Sequence, residues 1–183
     1  MKLWLWLFSL ALAAGCARSP SREDCPPDRN GRVIDATLLA FLSRARAAHH
    51  AADQAEQAGD LARARRTLSE LTAGPLPNGR AMPAEVREVL ADSRARLADL
   101  ASRAGDFAAA DAELRAGLEL VPETSYFRGH LFEVSGLVDE RRARELTARG
   151  DTNGASAANQ RALESLERAM SIQAEVIRSA TRR

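Results

Sequence analysis

Three histidines bound the acid-base and metal chemistry open to this chain. His49, Asp53 and Glu56 follow one another at steps of four and three, so on a helix all three project from one face as ligand types suited to a divalent metal. One helix rarely closes a metal site alone, and no cysteine joins them, so the three read as a solvated face and no metal is expected. His130 and Glu133 also share a face, but Phe127, Leu131 and Val134 around them indicate a packing helix. The chain has no Gly-x-Ser-x-Gly elbow, phosphate loop, HExxH pair or CxxC. Neither an enzyme nor a cofactor is expected.

The two cysteines lie near the start. Lys2 precedes an apolar run from Leu3 to Leu12, too short for the roughly 20 residues that span a bilayer, as in the core of a signal peptide. The run ends in Leu12-Ala13-Ala14-Gly15-Cys16, small residues before a cysteine, which resembles the lipobox of bacterial lipoproteins, with Ala13 where that family more often has Leu. The resemblance implies cleavage before Cys16, diacylglycerol on its sulfur and acylation of the new amino terminus. Ala17 rather than Asp after the cysteine implies, by the same resemblance, the outer membrane, facing the periplasm. The alternative is an ordinary secretory signal cleaved near Ala14. Several acyl chains, at about 0.8 kcal/mol per buried CH₂, make a stable anchor where one would be marginal. With Cys16 lipidated, Cys25 has no intramolecular partner; its acidic neighbours Glu23, Asp24 and Asp28 favour an inert thiol, and an intermolecular disulfide is the other reading.

The rest must be built without many aromatics, which are 4% of the 183 residues. An Ala- and Leu-rich composition suits close helix packing and argues against a sheet. Lys2 is the sole lysine, so the remaining 25 basic residues are arginines that balance 25 acids; that neutrality, with no aromatics interleaved in the clusters at Arg63 to Arg66 and Arg141 to Arg144, argues against nucleic acid as a partner. Residues 17–32 carry charges, three prolines and Gly31 with no apolar period, as in a flexible tether.

From Val33 onward, Gly59-Asp60, Gly105-Asp106 and Gly150-Asp151 recur at intervals of 46 and 45 residues. Glycine can close a helix in the left-handed conformation and the following Asp can cap the next one, so each dipeptide reads as the corner between paired helices. Apolar residues at steps of three and four flank each corner, giving six helices over 35–58, 61–72, 83–104, 107–120, 125–149 and 153–180. Gly74-Pro75-Leu76-Pro77-Asn78-Gly79 and Pro122 separate the pairs. Gly129 and Gly136, two turns apart, permit either close helix contact or a bend. Asp92–Arg96, Asp99–Arg103, Asp111–Arg115, Glu140–Arg144, Glu145–Arg149 and Glu164–Arg168 are spaced for ion pairs along single helices.

Ala104-Gly105-Asp106-Phe107, then Ala110, Leu114, Leu118, Leu120 and Pro122, resemble the second half of a tetratricopeptide repeat, and the other two pairs match less fully. The period of about 45 exceeds that family's 34, so the expectation is an all-α, tetratricopeptide-like array of three antiparallel helical hairpins. Leu163, Leu166, Met170, Val176 and Ile177 lie on one side of the last helix, which either caps the array or dimerises. The resulting division is 1–15 signal peptide, 16–32 lipidated cysteine and tether, and 33–183 helical domain.

In tetratricopeptide proteins the first helix of each pair lines a groove. The resemblance therefore implies partner contacts at Arg46, His49, Asp53 and Glu56, at Asp92, Asp99, Ser102 and Arg103, and at Glu140 and Arg144, a set of mixed charge with no aromatic anchor. An envelope scaffold or assembly factor binding a protein or peptide is expected, similar to tetratricopeptide lipoproteins such as secretin pilotins. The alternative is a solute-binding or transporter-accessory lipoprotein, for which so few aromatics offer little pocket lining. Metabolic labelling with a fatty-acid analogue should mark the wild type and not Cys16→Ala; equal label in both would overturn the anchor.

Overall fold

The structure, a computed structural model, describes residues 35–77 and 82–182. The signal peptide, Cys16, the tether and Cys25 lie outside the described residues. Those described form six helices and no strand: α1 (Ala36–Gln57), α2 (Leu61–Ala73), α3 (Ala84–Arg103), α4 (Phe107–Leu120), α5 (Tyr126–Ala148) and α6 (Thr152–Thr181).

The three Gly-Asp corners share one construction. Gly59, Gly105 and Gly150 have φ of 78°, 77° and 81°. At the first, the Gly59 N–H donates to Glu56 O at 2.9 Å and the Asp60 N–H to Ala55 O at 2.8 Å; the same two bonds recur at Gly105-Asp106 and Gly150-Asp151. This double closure uses the carbonyls that the last turn of a helix leaves unpaired. The aspartate then faces the other way: Oδ1 of Asp60, Asp106 and Asp151 accepts from the backbone N–H of Arg63, Ala109 and Gly154. Two residues thus end one helix and begin the next. The other starts use Asp35, which accepts from the Thr37 N–H at 2.8 Å, and Ser125, which accepts from the Arg128 N–H at 3.2 Å. Pro83 stands just before α3 rather than within its first turn, and no side chain caps that helix.

Packing follows chain order with α3 at the centre. α1 lies on α2, α3 on α4 and α5 on α6, while α3 also meets α1, α2 and α5, and α4 meets α5. Ala91, Ala95, Ala98 and Ala101 of α3 are fully buried and join Ala110 and Leu114 of α4 and Leu131, Val134 and Val138 of α5 in one cluster. Ala52, Ala55, Ala64 and Leu68 meet Leu97 and Leu100 in a second. Phe41, Ala45, Leu71, Val86 and Leu90 form a third near the start of α1.

Gly129 and Gly136 are both buried against α6, which favours close contact over a bend. A Cβ at Gly136 would lie 2.7 Å from Leu166 Cγ and 3.1 Å from the Ala162 carbonyl oxygen, and one at Gly129 would lie 3.1 Å from Gln173 Cγ. Gly117, which the sequence reading did not single out, is equally tight: its Cβ would meet Leu131 Cδ2 at 2.6 Å.

Two substitutions separate these roles. Gly59 has open space where a Cβ would go, so Gly59→Ala should cost only the left-handed backbone penalty, about 1 kcal/mol. Gly136→Ala gains about 1 kcal/mol of helix propensity but must push α6 away, for a net loss of about 1–3 kcal/mol. Denaturant unfolding of both variants checks this, and a stabilised Gly136→Ala would contradict the close approach.

Candidate functional site

α1, α3 and α5 together line a groove of about 560 Å³. Its walls are Asp53, Glu56 and Gln57 from α1, Arg96 and Asp99 from α3 and His130 from α5, and Ala95, Val134 and Leu137 supply apolar surface. A ladder of arginines and carboxylates crosses it. Arg96 Nη2 donates to Asp53 Oδ1 at 2.7 Å and to Glu56 Oε1 at 2.6 Å. Arg103 Nη1 donates to the other oxygen of Glu56 at 2.7 Å and lies 3.6 Å from Asp99. Arg141 of α5 reaches Asp99 at 2.7 Å and donates to Ser102 Oγ, also at 2.7 Å. The forked guanidinium suits this role, since each arginine addresses two partners at fixed angles.

The histidines sit at the side of the ladder. His49 is held by Ser93, a buried residue whose hydroxyl donates to the Val89 carbonyl at 2.8 Å. That leaves Ser93 Oγ to accept from His49 Nε2 at 2.9 Å, which assigns the proton to Nε2 and leaves Nδ1 to accept from Arg96 Nη1 at 3.3 Å. Burial pushes His49 below the usual imidazole value; Asp92 and Asp53 oppose the shift, and Arg96 adds to it. Asp92 lies between two imidazoles, 3.8 Å from His49 Nδ1 and 3.8 Å from His130 Nε2. The His130 ring stacks on exposed Tyr126 with centroids 6.1 Å apart.

The expected partner residues divide in three. Asp53, Glu56 and Asp99 line the groove, with His49, Asp92 and Arg103 joined to them by the contacts above. Ser102 is buried and serves as a structural hydrogen-bonding group, donating to the Asp99 carbonyl as it accepts from Arg141. Arg46 is exposed, and Glu140 and Arg144 pair with each other at 3.9 Å; none of these three enters the groove lining.

Sequence reasoning missed Arg96 and Arg141 as cross-helix bridges, and Leu137 and Tyr126 as apolar and aromatic groups at or beside the groove. Of the six ion pairs expected along single helices, Asp99–Arg103, Glu140–Arg144 and Glu145–Arg149 form. Arg96 turns instead to α1, and Asp111 is taken at 2.6 Å by Arg142 of α5. The face of His49, Asp53 and Glu56 is therefore engaged by arginines rather than merely solvated. The groove lining holds no Phe, Tyr or Trp, but exposed Tyr126, in the first turn of α5, stacks on the lining residue His130.

Among the described residues, no group of three or more His, Cys, Asp or Glu is arranged to hold a metal ion, and no helix is long and apolar enough to cross a membrane. No family model, curated protein or solved structure matches this chain.

The His49 environment has a pH consequence. Its proton affinity is lower folded than unfolded, so as pH falls through 6.5 the unfolded chain takes up a proton that the native ring resists. Stability should be full above pH 7 and fall as the pH drops from 6.5 toward the native pKa. In His49→Gln, whose amide can still donate to Ser93, the thermal midpoint should fall less between pH 7 and 5.5. An equal fall in both proteins would remove His49 as the cause.

Proposed function

We propose that this protein is a lipid-anchored scaffold or assembly factor of the bacterial cell envelope, tethered at Cys16 to the outer membrane, that binds a partner protein or peptide in the groove of α1, α3 and α5. In this reading the six helices are three tetratricopeptide-like hairpins, with α6 closing the end of the array, and the protein binds rather than catalyses. The observation that carries it is the groove itself, an open channel with an apolar floor and charged walls made from the first helix of each pair. The packing of α1 on α3 and α3 on α5 supports the hairpin arrangement.

The polarity of the walls suggests the partner's chemistry. Arg96, Arg103 and Arg141 are already committed to carboxylates. Asp53 is half exposed, and a carboxylate that takes one arginine retains acceptor capacity. A donor-rich, basic segment, extended or helical, fits such a surface, with Tyr126 and Leu137 offering apolar contact. Affinity should be modest and weaken with salt. Nothing specific favours the solute-binding alternative, because the groove's polar groups pair with one another instead of converging on an enclosed ligand.

Photo-crosslinking in cells tests this with the full chain. A photoreactive residue at Gln57 or at Leu137 should capture the same discrete protein, whereas one at Glu119 on α4 should not. Tyr126→Ala should reduce the capture several-fold. Capture from Glu119 alone, or none from either groove position in a folded protein, would overturn the groove as the binding surface.

A further inference from the structure

α6 carries a second surface, independent of the groove. Its buried side, Ala155, Ala158, Ala162, Ala169 and Ile172, packs on α5, the sole helix it touches among the described residues. Leu163, Met170 and Ile177 follow at steps of seven and are 52%, 62% and 63% exposed, so three large apolar side chains form one stripe. At 100° per residue the stripe lies about 100° round the axis from the buried side, clear of α5.

The charges beside it are also uncommitted. Elsewhere the interior arginines bridge helices, but Arg161 to Asp139 is the one ion pair that α6 makes among the described residues. Glu164 and Arg168, spaced for a pair along the helix, do not form one; Glu164 accepts only from Gln160, at 3.0 Å. Glu164 and Glu167 flank the stripe toward its start and Arg178 flanks it toward its end.

We propose that the Leu163–Met170–Ile177 stripe is a homodimer surface on which α6 pairs antiparallel with α6 of a second copy about a two-fold axis at Met170. The sequence is self-complementary under that operation: Met170 meets its own image and Leu163 faces Ile177. The acid-bearing flank turns toward the basic one, bringing Glu164 beside Arg178. A parallel pair has its two-fold axis along the seam and puts each flank on the opposite side from its copy, so Glu164 and Arg178, about 21 Å apart along the axis, would gain no pairing. An anionic lipid surface would be repelled by Glu164 and Glu167, where a membrane-binding helix carries basic residues. Three partly exposed side chains per copy bury less than the ~800 Å² per partner of a standard stable interface, so the dimer is weak and reversible.

Cysteine crosslinking reads this geometry in the full chain with Cys25→Ser as parent. Met170 is exposed, so Met170→Cys should leave the helical circular dichroism unchanged and, under mild oxidation, give disulfide dimers well above the parent. Leu163→Cys alone should give none above the parent, because in the antiparallel pair the two copies of that residue are about 21 Å apart along the axis. Leu163→Cys co-produced with a size-tagged Ile177→Cys should give the mixed dimer. Adding Arg178→Glu should cut the Met170→Cys yield several-fold, and adding Glu164→Arg to that variant should restore it. Met170→Cys dimers no more abundant than in the parent, Leu163→Cys crosslinked to itself, or crosslinks to another protein alone would each overturn the proposal.

Discussion

The structure depends on how closely other helices can approach α3. That helix meets four of the other five, and it can do so because Ala91, Ala95, Ala98 and Ala101 present almost no side-chain bulk to its neighbours. Where interhelical contacts are made by methyl groups, axes can sit at the short end of the usual range of about 8–10 Å. Gly117 and Gly136 extend the same rule to α4 against α5 and α5 against α6, where even one methyl group would collide with a leucine. The low aromatic content is thus a condition of this packing.

An alanine core has a cost. Each methyl buries little apolar area, so contact with α3 alone holds the outer helices less firmly than a core of larger residues would. The arginine bridges supply the lateral attachment: Arg96 joins α3 to α1, Arg141 joins α5 to α3, Arg94 reaches Glu113 on α4, and Arg142 with Arg161 gathers Asp111 and Asp139 across α4, α5 and α6. A lysine would not reproduce Arg141 or Arg142, each of which holds two different residues with its two separate terminal nitrogens. The groove walls and part of the cross-helix cohesion are the same atoms. A ligand that displaced Arg96 from Glu56 would loosen α1 from α3, so binding by addition to free carboxylate lone pairs is the gentler route.

The elements legible in the sequence were those whose cause is local. A Gly-Asp corner is fixed by the conformational freedom of one residue and the short side chain of the next, and all six helices fall within a few residues of the spans read from spacing. The partners of the arginines were not legible. Arg96 has an acid four residues before it on its own helix, and the sequence gives no means of ranking Asp92 against Asp53 and Glu56, which lie about 40 residues away and reach it only after packing. Tyr126 was missed for a related reason, because its place beside the groove comes from stacking on the ring of His130 and not from any pattern around it. Of the ten expected contact residues only Asp53, Glu56 and Asp99 line the groove, because a resemblance that assigns a helix to a groove does not say which of its turns the neighbouring helices leave open.

The chain-order packing also sets how the domain comes apart. α3 shares surface with four helices whereas α6 shares it with α5 alone, in the most extensive contact between any two helices, so detaching α6 breaks one large interface and detaching α3 breaks four. A terminal helix can open in sub-global excursions below the free energy of full unfolding, whereas the central helix is released only when its several neighbours let go. Asp139 marks the border between these regimes, since it bonds Arg161 on the detachable side and Arg142 on the retained side. When α6 lifts away, that carboxylate keeps Arg142, and the remaining five helices lose a neighbour without acquiring an unpaired buried charge.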